Sequence, residues 1–91
     1  MVRDNVELSR FELEAPGGTG FLTYRRSPGV VILVHTEVPE SIGHRGVGSE
    51  LVRGVLDLLR ARGDKVIPRC KFVAAFIEKH PEYEDMITPE S

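Results

Sequence analysis

Cysteine occurs once, at Cys70, in a chain of 91 residues. A single cysteine makes no internal disulfide and lacks the companions of a cysteine-based zinc site. Long apolar runs are missing too: none approaches the roughly 18–20 residues of a membrane-spanning helix. The opening MVRDNVELSR lacks the apolar segment of a secretory signal. There is no excess of positive charge either. The formal net charge is −2, which argues against general nucleic-acid binding and against docking on a membrane surface. Repeats and low-complexity tracts are absent. What remains is ordinary for a globular protein, with 41% hydrophobic and 29% charged residues. The expectation is a reduced, cytoplasmic protein with one domain over residues 1–91 and one modest core. It is expected to be a monomer or a weak homo-oligomer.

The segment NVELSRFELE alternates, with Phe11 and Leu13 on one face, and predicts a strand. APGGTG is a turn cluster, FLTYRR a second strand and SPG a tight turn. The run 30–38 is apolar and rich in β-branched residues, which predicts a central strand covered on both faces. Its end changes character: His35 and Glu37 point to one face and Thr36 to the other. Pro39 ends it. Val47, Leu51, Val52, Val55, Leu58 and Leu59 then recur at helical spacing, with Arg53, Asp57 and Arg60 outward. Gly63 closes that helix, just after Arg60 and Arg62, cations suited to its C-terminal end. KVI is a short strand stopped by Pro68. CKFVAAFIEKH is a second helix, apolar at Phe72, Val73, Phe76 and Ile77 and ended by Pro81. The acidic tail, about 84–91, is expected to be a solvated end. The fold class is therefore α/β (α+β) in the order β-β-β-α-β-α. An antiparallel meander leads through a helical crossover long enough to set the fourth strand parallel to the third.

The connection GHRGVGSEL lies between the central strand and the first helix. A helix opening presents unpaired N–H groups and the positive end of the dipole, and glycines let a phosphate approach that backbone. Gly46 and Gly48 stand there with Arg45 beside them. The bland alternative is a loop that needs glycine for positive φ and binds nothing. A nucleoside-triphosphate loop is excluded, because G-x-x-x-x-G-K-[ST] requires a lysine that is missing. The dinucleotide fingerprint G-x-G-x-x-G is excluded because the spacing here is reversed and follows a meander.

A third phosphate loop fits. The stretch VILVHTEVPESIGHRGVGSELVRGVLDLLRARG resembles the acetyl-CoA-binding motif of the GNAT N-acetyltransferase superfamily: a strand ending in proline, then [QR]-x-x-G-x-[GA], then a long amphipathic helix. The likeness continues through KVIPRCKFVAAFIEKHPEY, which is similar to the small single-domain branch, where HTEVP, G-x-G, P-x-C and HPEY recur in this order. It covers roughly residues 8–83. The resemblance implies a mixed sheet split between two adjacent parallel strands, here the one ending at Val38 and the one at Val66 and Ile67. Pantetheine would insert in that split. The pyrophosphate would meet the backbone N–H groups of His44, Arg45, Gly46, Val47, Gly48 and Ser49. Two positions depart from the pattern. Gly43 stands where the wider superfamily has Gln or Arg, and His44 where the small branch often has glycine.

Acyl transfer from a thioester to an amine needs a base, a donor to the developing oxyanion and an acid for the leaving thiolate. Glu37 and His35 share a face at the C-terminal end of the central strand, where ligands of open α/β sheets bind. Either suits the base; the alternatives are a rim carboxylate and a hydrogen-bonded, partly buried histidine. Tyr24 and Tyr83 suit an acid or simple packing. The wider superfamily often uses a tyrosine of the last helix as acid, and the comparable helix here offers Phe76. Cys70 opens the second helix between Arg69 and Lys71. A helix N-terminus and adjacent cations lower a thiol pKa, and the alternative is a small buried hydrophobe. The expectation is an acetyl-CoA-dependent N-acetyltransferase acting on an amine, favourably one on a protein or peptide, since little wall remains for a small-molecule pocket. One rival is a CoA-binding module without catalysis that acts through a partner. Another takes GHRG as the G-x-x-G loop of a single-stranded RNA-binding module. The preceding strand and the net charge of −2 count against it.

Overall fold

The computed structural model describes residues 1–42 and 46–89. Gly43, His44 and Arg45 of the glycine loop, and residues 90–91, lie outside the described residues. Strands β1 (Arg3–Asn5), β2 (Arg10–Ala15), β3 (Gly18–Ser27) and β4 (Val30–Glu37) precede helix α1 (Val47–Arg62). Strand β5 (Lys65–Pro68), helix α2 (Lys71–Lys79) and a 3-10 helix (Pro81–Met86) follow. The strands form one sheet in the order β1-β2-β3-β4-β5. Neighbours run antiparallel except β4 and β5, which are parallel. The fold is thus a mixed α+β fold, as expected, with one short strand added at the start.

That added strand has a local cause. The alternation of NVELSRFELE predicts one strand, but the chain turns back between residues 5 and 10. The Ser9 N–H bonds to the Val6 carbonyl at 3.2 Å, Leu8 N–H donates to the Asn5 side chain at 3.2 Å, and Ser9 takes φ 52°. A hairpin results, with Asp4 opposite Phe11.

One apolar cluster lies between the sheet and the helices. Phe11, Leu13, Leu22, Val31, Leu33 and Val66 of the sheet meet Leu51, Val52, Val55, Leu56 and Leu59 of α1 and Val73, Phe76 and Ile77 of α2. Helix α1 stops where a Schellman pattern closes it: Gly63 sits at φ 79°, its N–H bonds to Arg60, and the Asp64 N–H bonds to Leu59. The opposite face of the sheet is polar and carries Glu12, Phe21 and Glu37 in one row, with Arg10, Thr23 and His35 in the next.

The described part of the acidic tail, residues 84–89, is mostly exposed as expected but is anchored rather than free. Tyr83 and Met86 are buried, Asp85 pairs with Arg60 at 2.9 Å, and the Thr88 N–H bonds to the Val66 carbonyl. Two apolar side chains at i and i+3 of the 3-10 turn outweigh the charges around them, because the carboxylates still reach water or a cation from its outer side. Phe72 departs from expectation in the other direction. It is 45% exposed, although its spacing places it on the apolar face of α2.

Candidate functional site

The site begins where two strands part. β5 pairs with β4 from Val30↔Lys65 to Leu33↔Pro68 and no further, while β4 runs on to Glu37. Pro68 carries no N–H to extend a ladder. The Arg69 N–H turns back to Ile67 at 3.0 Å, the Cys70 N–H takes the Leu33 carbonyl at 2.8 Å, and α2 then leads the chain away. Residues 34–37 therefore keep β3 on one side and have no strand on the other among the described residues.

A bulge in the same stretch sets which side chains point where. Thr23 pairs with His35 and Tyr24 with Leu33, so Val34 is an extra residue in β4. Strict alternation would carry the inner face from Leu33 to His35. The bulge instead puts Thr36, opposite the buried Leu22, on the inner face with Leu33. His35 and Glu37 are left on the outer face, exposed, with Nε2 and Oε1 at 3.3 Å.

Next to the gap lies a cleft of about 440 Å³ lined by Thr36, Val38, Gly46, Val47, Gly48, Ser49 and Phe72. That size falls among small-molecule pockets. Val38, Gly46, Val47, Gly48 and Ser49, five residues singled out from the sequence, come together here. His44 and Arg45 lie outside the described residues. Gly46 takes φ 89°, a left-handed conformation suited to glycine, and offers no side-chain cap to α1. The first bond of the helix runs from the Glu50 N–H to the Gly46 carbonyl at 2.9 Å. The N–H groups of Val47, Gly48 and Ser49 precede it and have no intrahelical partner. A Cβ on Gly48 would lie 2.9 Å from Phe72 Cζ, so glycine there lets the α2 ring close the wall.

Cys70 is the N-cap of α2 and is 8% exposed. Its Sγ lies 3.4 Å from the Thr36 hydroxyl. Burial pushes the thiol pKa up, but hydrogen bonds from the Thr36 hydroxyl and from the N–H groups of Val73, Phe72 and Thr36 outweigh it and hold the thiol below its ordinary value. The lowering expected from the sequence has this origin, a ring of donors at a helix start. Cys70 and the His35–Glu37 pair lie on opposite faces of β4, so the structure gives two separate groups rather than one dyad.

Both tyrosines are committed elsewhere. Tyr24 donates to Asp4 at 2.6 Å, and Tyr83 donates to Asp57 at 2.7 Å while accepting from Arg53 at 3.2 Å. Burial first, then the carboxylate partner, raises each phenol above its ordinary value. Sequence reasoning missed Thr36 and Phe72 as lining residues. A threonine ending an apolar strand was the available signal for the first. Nothing in helical periodicity marks Phe72, because the glycine that makes room for it stands 24 positions earlier.

A family model described as GCN5-related N-acetyl-transferase matches residues 10–86. The chain is also similar in structure to a GCN5-like protein from Staphylococcus aureus solved by NMR, with TM-score 0.71 and 23% identity, covering 100% of this chain and 90% of that one. At that identity the likeness speaks for the fold. No curated protein matches the chain in sequence. With a parted pair of parallel strands, a glycine-opened helix beside the gap and a family match over most of its length, the chain belongs to the GCN5-related N-acetyltransferase family.

Proposed function

We propose that the protein binds acetyl-CoA in the cleft beside β4 and transfers the acetyl group to an amine. The observation that carries this reading is the parting of β4 from β5 after Leu33↔Pro68, against the open start of α1. The residues present fit the ligand. Gly46 is left-handed with nothing within 4 Å of a would-be Cβ, and unpartnered N–H groups follow it, which suits a pyrophosphate. The bare edge of residues 34–37 suits an extended amide-bearing arm. Acetyl-CoA supplies a thioester whose carbonyl carbon accepts a nucleophile and whose thiolate leaves.

The chain's own residues divide the remaining work. The Cys70 thiolate, steadied by Thr36 and the α2 N–H groups, attacks the thioester carbon and holds the acetyl group as CoA thiolate departs. The incoming amine then attacks acetyl-Cys70, and the Cys70 thiolate is restored. The His35–Glu37 pair stands on the other face of β4 and does not touch Cys70, so the amine's proton reaches it through water. A pair this exposed favours an amine carried on a protein or peptide. The protein is read as acting in the cytoplasm as a single domain. The runner-up, a CoA-binding module without catalysis, shares the cleft and lacks the Cys70 step. Incubation with acetyl-CoA followed by peptide mass spectrometry separates the two. Acetyl on Cys70 that disappears when an amine acceptor is added supports transfer through the thiol; acetyl-CoA that stays bound and unreacted with the acceptor present contradicts transfer.

A further inference from the structure

A second hollow lies on the other side of Phe72. This smaller groove of about 100 Å³ runs along α2, lined by Ser49, Phe72, Ala75, Phe76, Lys79 and His80. It shares Ser49 and Phe72 with the first cleft, so the Phe72 ring stands between two adjacent hollows. This explains a large apolar side chain left 45% exposed: each flank of the ring faces a different depression.

The far end of the groove is basic. Lys79 makes no hydrogen bond or ion pair among the described residues, and it closes α2. The nearby Glu82 is within 3.9 Å of Arg53. His80 is fixed beside it. Its ring stacks on Phe76 with centroids 4.0 Å apart, and Nδ1 donates to the Phe76 carbonyl at 2.8 Å. A carbonyl only accepts, so Nδ1 carries a proton, and this bond holds the ring in place at the end of the groove.

We propose that this groove is a second phosphate subsite, which takes the 3′-phosphate of a nucleotide whose pyrophosphate lies at the start of α1, with Lys79 as its cation and His80 as a flanking group. The proposal rests on the CoA reading of the first cleft and adds a specificity to it. The protein distinguishes CoA from dephospho-CoA, which differ only in the 3′-phosphate.

Calorimetric titration of the full chain with CoA and with dephospho-CoA at low salt tests this without any turnover. The expected result is that dephospho-CoA binds about five-fold more weakly, the range of one well-placed charge contact. Lys79→Met should bring CoA down to the dephospho-CoA affinity and leave dephospho-CoA unchanged, while Lys79→Arg keeps most of the difference. Lys79 is exposed, so an unchanged melting temperature verifies that the Met variant is folded. Equal binding of the two ligands by the native protein, or full discrimination by Lys79→Met, overturns the subsite and leaves the first cleft standing. Failure of both ligands to bind overturns the first cleft along with it.

Discussion

The Thr36 hydroxyl and the Cys70 thiol meet at 3.4 Å, 34 residues apart in sequence, at the point where β4 and β5 separate. The bulge at Val34 turns Thr36 inward, and the Cys70–Leu33 backbone bond brings the start of α2 to it. If Thr36 holds the thiol pKa down, Thr36→Val removes one donor at nearly constant volume and raises that pKa. Alkylation by iodoacetamide across pH 6–10 reads it. The rate at neutral pH should fall several-fold, with the midpoint displaced upward. An unchanged midpoint would mean that the α2 N–H groups do the whole work.

The outer pair has a different role and a different signature. Glu37→Gln and His35→Ala should each lower kcat/KM for the amine by about 10²–10³-fold, the usual contribution of a positioned base. The dissociation constant for CoA should stay as it is, because neither residue lines the cleft. A variant that weakens CoA binding and spares transfer contradicts the assignment.

Tyr83→Phe tests what the tyrosine does not do. Its hydroxyl is spent on Asp57 and Arg53. Losing the bond leaves Asp57 short of one partner and should cost about 1 kcal/mol. In a domain of this size that lowers Tm by roughly 4–8 °C. Acetyl transfer under folded conditions should be unaffected. A collapse of kcat with Tm preserved would reinstate tyrosine as the acid.

Much of the site was readable in the chain because its rules are local. A proline ends β4, glycines open α1, Gly63 closes it, and the apolar stripe of α1 repeats at helical spacing. The hairpin at residues 5–10 was not readable, since the pattern of apolar residues continues through a turn held by Asn5 and Ser9. Nor was the burial of Tyr83 and Met86, because five acidic residues around them dominate the composition. The face of Thr36 depends on one extra residue in β4, and a bulge leaves no mark in an alternation that is already apolar on both faces. Phe72 can lie against the start of α1 because Gly48 has no side chain, a relation between helices that no single segment contains.

Glu12 ties the stability of the fold to acid pH. Its carboxylate is 5% exposed and accepts from Arg3 at 2.7 Å, Arg10 at 2.7 Å and Asn5 at 3.0 Å. These bonds hold its pKa at about 2, against an ordinary 4.5. A folded pKa below the unfolded one stabilises above the unfolded value and is lost as pH falls through the folded one. Stability should therefore decline between about pH 4.5 and pH 2. Glu12→Gln should lower Tm at neutral pH by roughly 5–10 °C, from about 1–2 kcal/mol, and flatten that acid decline. Parallel acid profiles for the two proteins would show that Glu12 is not its source.

The central claim is that the open start of α1 and the parted strands hold CoA, and thermal unfolding with CoA measures it most directly. Ligand at about 100 times its Kd stabilises a fold by about 2.7 kcal/mol, which here is a rise in Tm of roughly 10–20 °C. Gly48→Leu, which puts a side chain into the cradle beside Phe72, should remove most of that rise while the unliganded protein still melts cooperatively. The account predicts a large shift in the native protein and little in the variant. A native Tm that saturating CoA leaves unmoved would contradict it.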